Sequence, residues 1–133
     1  MLAGMLQLIQ LHYTIYHNRP LWAHKGDKTM RKHTPWGEAQ CATVLAPGII
    51  SYSTARHGGI WLDATHRKAL NYNKSWLNTD EWWEEDCDWS VPYIAFRKEI
   101  QAYGQAYRLN ENIKAAWRTL EHAHPEFYAR MAE

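Results

Sequence analysis

Long apolar runs, paired cysteines and an excess of charge of either sign are all missing from this chain of 133 residues. No stretch approaches the ~18 apolar residues that cross a bilayer, so no membrane-spanning helix is expected. The two cysteines, Cys41 and Cys87, stand too far apart for a zinc knuckle or a CxxC redox motif, and two reduced thiols are the expectation. A net charge of +1 lacks both the strong basic excess of a generic nucleic-acid binder and the acidity of a whole-protein DNA mimic. There is no GxGxxG, no P-loop, no GxSxG and no HExxH. His122 and His124 do not share a helical face, so they offer no ligand pair. No cofactor and no metal site are therefore expected. The opening residues lack a basic n-region and an A-x-A-like cleavage site, which points to a cytoplasmic protein.

What the chain does have is aromatic mass: eight tryptophans and eight tyrosines, within a 46% apolar composition. Each buries a large area yet carries a polar atom that needs a partner. The length suits one domain. Residues 1–29 read as a helical extension followed by a basic linker, and residues 30–133 as a single α+β domain. Leu2, Met5, Leu6, Ile9 and Tyr13 fall at helical spacing, giving a helix over 2–16 that would pack on the domain or pair with a second copy. Arg19, Lys25, Lys28, Arg31 and Lys32 then stand against Asp27 alone, either a solvated connector or an arm touching phosphate or an acidic partner.

From Thr34 the pattern turns to strands. Gln40–Ala46, Ile49–Thr54 and Ile60–Leu62 are separated by turn signals at Pro47-Gly48 and Gly58-Gly59, which predicts a three-stranded antiparallel meander packed against several helices. Asp63 is a good N-cap for a helix through Leu70. Residues 71–78 are polar and Asn-rich, hence loop. Asn78 and Glu81 resemble a capping box that starts a helix near Thr79. A further helix begins at Ser90, with Pro92 in its first turn, and runs to about Ala106. Asn110 is the expected cap of a last amphipathic helix carrying Ile113, Ala116, Trp117 and Leu120. Pro125 ends or restarts it, with 125–130 as a final turn.

Two segments could carry chemistry. Read as a helix, residues 80–88 place Glu81, Glu84, Glu85 and Asp88 on one face, with Trp83 and Cys87 turned away. Such like charges repel at i, i+4, so a basic partner, a hard cation or the chain's own basic arm must offset them. Arg56 and His57 sit in a glycine-rich turn. Arg56 suits phosphate or carboxylate; His57 suits catalysis, binding, or a structural bond to Glu84, Glu85 or Asp86 that pins turn to helix. A Cys87–His57 nucleophile pair is the remaining alternative. The binding set read from the sequence is Trp36, Arg56, His57, Glu81, Glu84, Glu85 and Asp88. A catalytic set, if there is catalysis, is His57 with Glu84 and Glu85.

Thr34-Pro35-Trp36-Gly37-Glu38-Ala39, Ser53-Thr54-Ala55-Arg56-His57-Gly58-Gly59 and Trp83-Glu84-Glu85-Asp86-Cys87-Asp88-Trp89, in that order and with His124 to Tyr128 near the close, resemble a small domain of unknown function found in plasmid and phage proteins. Longer members are described as antirestriction or anti-defence proteins. The resemblance covers about residues 34–128. It implies a mobile-element accessory domain and no catalytic assignment. Arg56 departs from the small or polar residue expected at its place, so a role for it is this chain's own. The function this implies is inhibition of a bacterial defence system, of the anti-CRISPR or antirestriction kind, by binding a nucleic-acid-handling host protein through an acidic, aromatic-rich surface. The alternative is a small enzyme acting on a nucleotide or a modified side chain. A third reading is a partner module that dimerises through residues 2–16. Neither a membrane nor strong direct nucleic-acid binding is expected.

Overall fold

The computed structural model describes residues 33–133. The helix expected over 2–16, the dimer it would make and most of the basic linker lie outside those residues. The described chain is α+β. A two-stranded hairpin, β1 (His33–Thr34) and β2 (Gly37–Glu38), leads into a four-stranded antiparallel sheet. Its strands are β3 (Cys41–Ala46), β4 (Ile49–Ser53), β5 (Gly58–Leu62) and β6 (Trp82–Glu84), adjacent in that order. Among the described residues there are five helices: α1 (Ala64–Leu70), α2 (Ser90–Ala95), α3 (Arg97–Tyr103), α4 (Leu109–Ala123) and α5 (Pro125–Ala132).

The expected three-stranded meander is therefore one strand short. The missing strand is Trp82–Glu84, where the sequence suggested a helix. The pairing of Ile60 with Trp83 and of Trp61 with Trp82 shows why. Consecutive strand residues point to opposite faces, and both faces of this sheet are covered. Trp83 enters the main core, with Leu45, Ile49, Ile60 and Leu62 from the sheet and Trp89, Tyr93, Ile94, Ile100, Leu120 and Phe127 from beyond it. Trp82 enters a second cluster on the other face, with Ala42, Ile50 and Tyr52, flanked by Trp36 and Trp61. Two adjacent indoles buried on opposite sides require an extended backbone; a helix would turn them only about 100° apart. Trp83 also donates its indole N–H to the Asp80 carbonyl at 3.0 Å.

Asp63 caps α1 as expected, accepting from the His66 amide at 2.9 Å. Asn71, in the left-handed region at φ 49°, ends that helix. Asn78 caps nothing: it too is left-handed, at φ 53°, within the loop. The helix expected from Ser90 to about Ala106 breaks at Phe96 into α2 and α3. Arg108, not Asn110, precedes the first residue of α4, and Asn112, Ala116 and Leu120 are its buried positions. Pro125 opens a true helix, α5, rather than a single turn.

The break at Phe96 places its ring edge-on to His66, with centroids 4.9 Å apart. His66 is held from both sides, Nδ1 at 2.7 Å from Asp63 and Nε2 at 2.6 Å from Glu99, and so ties α1 to α3. Burial disfavours a charged imidazole here, but the bonds to Asp63 and Glu99 outweigh it and the pKa is raised above 6.5. A group whose folded-state pKa is raised gives stability that is fully present below its unfolded value and is lost as pH rises through the folded one. The melting temperature should thus fall as pH is raised from about 6.5. In His66→Gln that part of the slope should disappear, which a thermal melt series in matched buffers would reveal.

Candidate functional site

The geometry of the site starts from two glycines that are not in a turn. Gly58 and Gly59 belong to β5 and are needed for close approach. A Cβ on Gly58 would lie 2.5 Å from the Tyr52 carbonyl oxygen, and one on Gly59 would lie 2.4 Å from the Trp36 ring and 2.6 Å from the Trp83 carbonyl oxygen. The turn itself is made by Thr54. Its hydroxyl donates to the His57 carbonyl at 2.7 Å and accepts from the amides of Arg56 and His57. The Trp36 indole can therefore pack its outer ring against Gly59, with Trp82 edge-on to it at 5.7 Å.

Pairing of β5 with β6 sets Gly59 opposite Glu84, and the Glu85 amide bonds to the Gly58 carbonyl at 2.9 Å. The glycine segment and the tryptophan-flanked acids are thus neighbours. After β6 the chain turns at once: the two Glu84 carboxylate oxygens accept from the amides of Asp86 at 3.0 Å and Cys87 at 2.9 Å. Burial pushes the Glu84 carboxyl above its usual range despite those bonds, and nearby Asp86 and Asp88 add to the effect. Glu85 is buried, and burial likewise raises its pKa, opposed by His57. His57 Nδ1 stands 3.6 Å from Glu85 Oε1, with the imidazole 55% exposed.

Asp88 is also buried, among polar partners. One oxygen accepts from the Trp76 amide at 2.6 Å. The other meets His124 Nε2 at 2.8 Å, and His124 Nδ1 lies 3.0 Å from the Tyr72 hydroxyl. The chain is consistent with a single tautomer: Nε2–H donates to Asp88 and Nδ1 accepts from Tyr72. This network fastens the 71–81 loop to the α4–α5 junction. The loop then projects Trp76, 83% exposed, and Leu77 into solvent.

A cleft of about 830 Å³ opens between that loop and the sheet. Trp36, His57, Lys74, Trp76, Leu77, Glu84, Asp86, Cys87, Asp88 and His124 line it. Of the residues singled out from the sequence, Trp36, His57, Glu84 and Asp88 meet here, with Glu85 buried beside His57. Glu81 does not: it accepts from the Trp61 indole at 2.8 Å and sits 3.9 Å from Arg67. Arg56 is exposed in the turn, does not line the cleft and makes no ion pair among the described residues. The one-sided acidic helix does not exist. Glu81, Glu84, Glu85 and Asp88 lie on a strand, its flanks and a turn, each in different company. Cys87 is a free thiol whose pKa is raised by burial and by Glu84, Asp88 and Asp86, which opposes the thiolate a nucleophile needs. Among the described residues no group of three or more His, Cys, Asp or Glu could hold a metal ion, and no helix is long and apolar enough to cross a membrane.

Sequence reasoning missed Tyr72, Trp76 and His124. The spacing of His122 and His124 gives no hint of the partner of His124, Asp88, which is distant in the chain. Trp76-Leu77 did leave a signal, an apolar pair stranded in a polar, Asn-rich loop.

Residues 29–133 match the family model of a domain of unknown function, DUF7007, and the chain belongs to that family. No curated protein and no solved structure matches it.

Proposed function

We propose that this DUF7007 member is a protein-binding module that inhibits a bacterial defence system by engaging a nucleic-acid-handling protein through the cleft and its Trp76–Leu77 lip. The observation that carries the binding part is a large aromatic side chain, 83% exposed, on a loop whose backbone is pinned by a buried carboxylate. Tryptophan is enriched among interface hot spots, and a pre-held anchor loses little freedom on binding. Support for the target class comes from the motif resemblance. The carboxylates at the cleft suit a basic surface, and complementary charge speeds association. Reversing charge at Glu81, Glu84 and Asp88 would be a poor test, because those residues hold the fold. Trp76→Ala with Leu77→Ser touches only exposed side chains. The double variant should keep the wild-type melting temperature and lose capture of the defence complex by at least about tenfold, as expected for one hot-spot residue. Undiminished capture would remove this face from the interface.

One observation favours a second reading, a small enzyme acting on a nucleotide or modified side chain. His57 faces the cleft mouth with a buried carboxyl, Glu85, behind it. That is a workable geometry for a general acid–base pair. His57→Asn and Glu85→Gln should each abolish turnover in protein that still unfolds cooperatively. Variants that retain whatever activity is found would end this reading.

A further inference from the structure

We propose that the occupant of the cleft is an extended, arginine- or lysine-bearing segment of the protein partner, its cation seated against Trp36 beside Glu84 and Asp86. This rests on the reading of the cleft as a partner-binding face and specifies what fills it.

The first support is charge left over. Lys74, which lines the cleft, is taken by Glu126 at 2.8 Å, and Asp88 by His124 and the Trp76 amide. Glu85 has His57. Glu84 is bonded to the backbone amides of Asp86 and Cys87, but neither it nor exposed Asp86 pairs with a lysine or arginine among the described residues, although both line the cleft. The raised pKa of Glu84 reflects burial with two further carboxylates close by, and an arriving cation would relieve that crowding.

The second support is the wall. Gly59 lies opposite Glu84, Trp36 packs on Gly59, and Trp36 and Glu84 line the same cleft. Indole attracts cations more strongly than the other aromatic rings do. The aliphatic stem of an arginine or lysine would lie along Trp76 and Leu77 while its head reaches the carboxylates. Nucleic acid fits poorly, since the same carboxylates repel phosphates. A purely apolar ligand would cover the Asp86 carboxylate without giving it a partner.

The test titrates the full chain, by calorimetry, with a nine-residue peptide alternating arginine and glycine, and with its glutamate counterpart. The arginine peptide should bind saturably and the glutamate peptide not at all. Asp86→Asn and Trp76→Ala should each weaken binding by about tenfold, the scale of one hydrogen bond to a charged group. Glu121→Gln, an exposed acid that does not line the cleft, should leave it unchanged. Absence of binding, or equal loss in Glu121→Gln and Asp86→Asn, would overturn the proposal. Carbodiimide cross-links from Lys25, Lys28 or Lys32 to Glu84 or Asp86 would overturn it too, in favour of the chain's own basic stretch if within one chain, or of a second copy if between chains. If the arginine peptide fails while the Trp76–Leu77 double variant still loses the defence complex, only the cationic occupant is wrong. If the double variant also captures normally, the partner-binding face itself is wrong.

Discussion

Asp88→Ala should destabilise the domain by about 2–4 kcal/mol, the cost of leaving two hydrogen-bond donors without their acceptor. The reason is the number of donors left stranded. Both Asp88 oxygens are used, one by the Trp76 amide at 2.6 Å and one by His124 Nε2 at 2.8 Å. Each abandoned buried donor costs about 1–3 kcal/mol, with the part-buried Trp76 amide at the low end. His124 is itself buried and is engaged on its other nitrogen by Tyr72, so it cannot turn to find a new partner without giving up that bond. The melting temperature should drop by about 10–20 °C for a domain of this size. Asp88→Asn should fall between the two, since its amide offers one acceptor oxygen and one NH₂ that faces a donor. The same variants should loosen the 71–81 loop, read as faster amide exchange at Trp76. A melting temperature unchanged in Asp88→Ala would mean that the network contributes nothing to stability.

Gly59→Ala is the second large effect, and it acts through the backbone. The new methyl would meet the Trp83 carbonyl oxygen at 2.6 Å and the Trp36 ring at 2.4 Å. The ring could swing away, but the carbonyl belongs to a strand held between β5 and the core. Relief on that side means prising β6 from β5. A cost near the upper end of the overpacking range, about 3 kcal/mol, is expected. The displaced Trp36 would also leave the cleft, so partner capture should fall in protein that is still folded. Gly104→Ala makes a useful contrast: nothing lies within 4 Å of a Cβ there, and its φ of 76° makes any cost one of backbone strain alone. Comparing chemical denaturation of the two variants separates crowding from strain.

The α+β character, the first two meander strands, the Asp63 cap and the 71–78 loop were all legible from local signals. Each rests on neighbours in sequence: alternation, a turn dipeptide, a capping side chain. What was not legible depends on partners far along the chain. Acids spaced at i, i+3, i+4 and i+7 imitate a helix face, and nothing nearby says that Trp82 and Trp83 must point to opposite sides. That requirement comes from two separate clusters, built from residues 39–62 and from the helices after residue 89. Gly58-Gly59 reads locally as a turn, because a need for close approach only exists once Trp36 and Trp83 are in place. His57 near an acid of the 84–86 group was legible as a pairing, and Glu85 is the acid it meets. The role of Asp88 was not, because its partners Trp76 and His124 flank it at long range in both directions.

The adjacent indoles of β6 also set where this family can vary in length. Adding or deleting one residue between Glu81 and Trp83 would exchange the two rings between clusters shaped for neither, so insertions there should be purged. The 71–78 stretch is held at points instead, through the Asn71 carbonyl and through Tyr72, Lys74, Ser75 and Trp76, and not by a strand register. Among relatives, gaps should therefore gather near Asn73 and Asn78 and be absent from the strand that follows, making that loop the place where members diverge in what they grip.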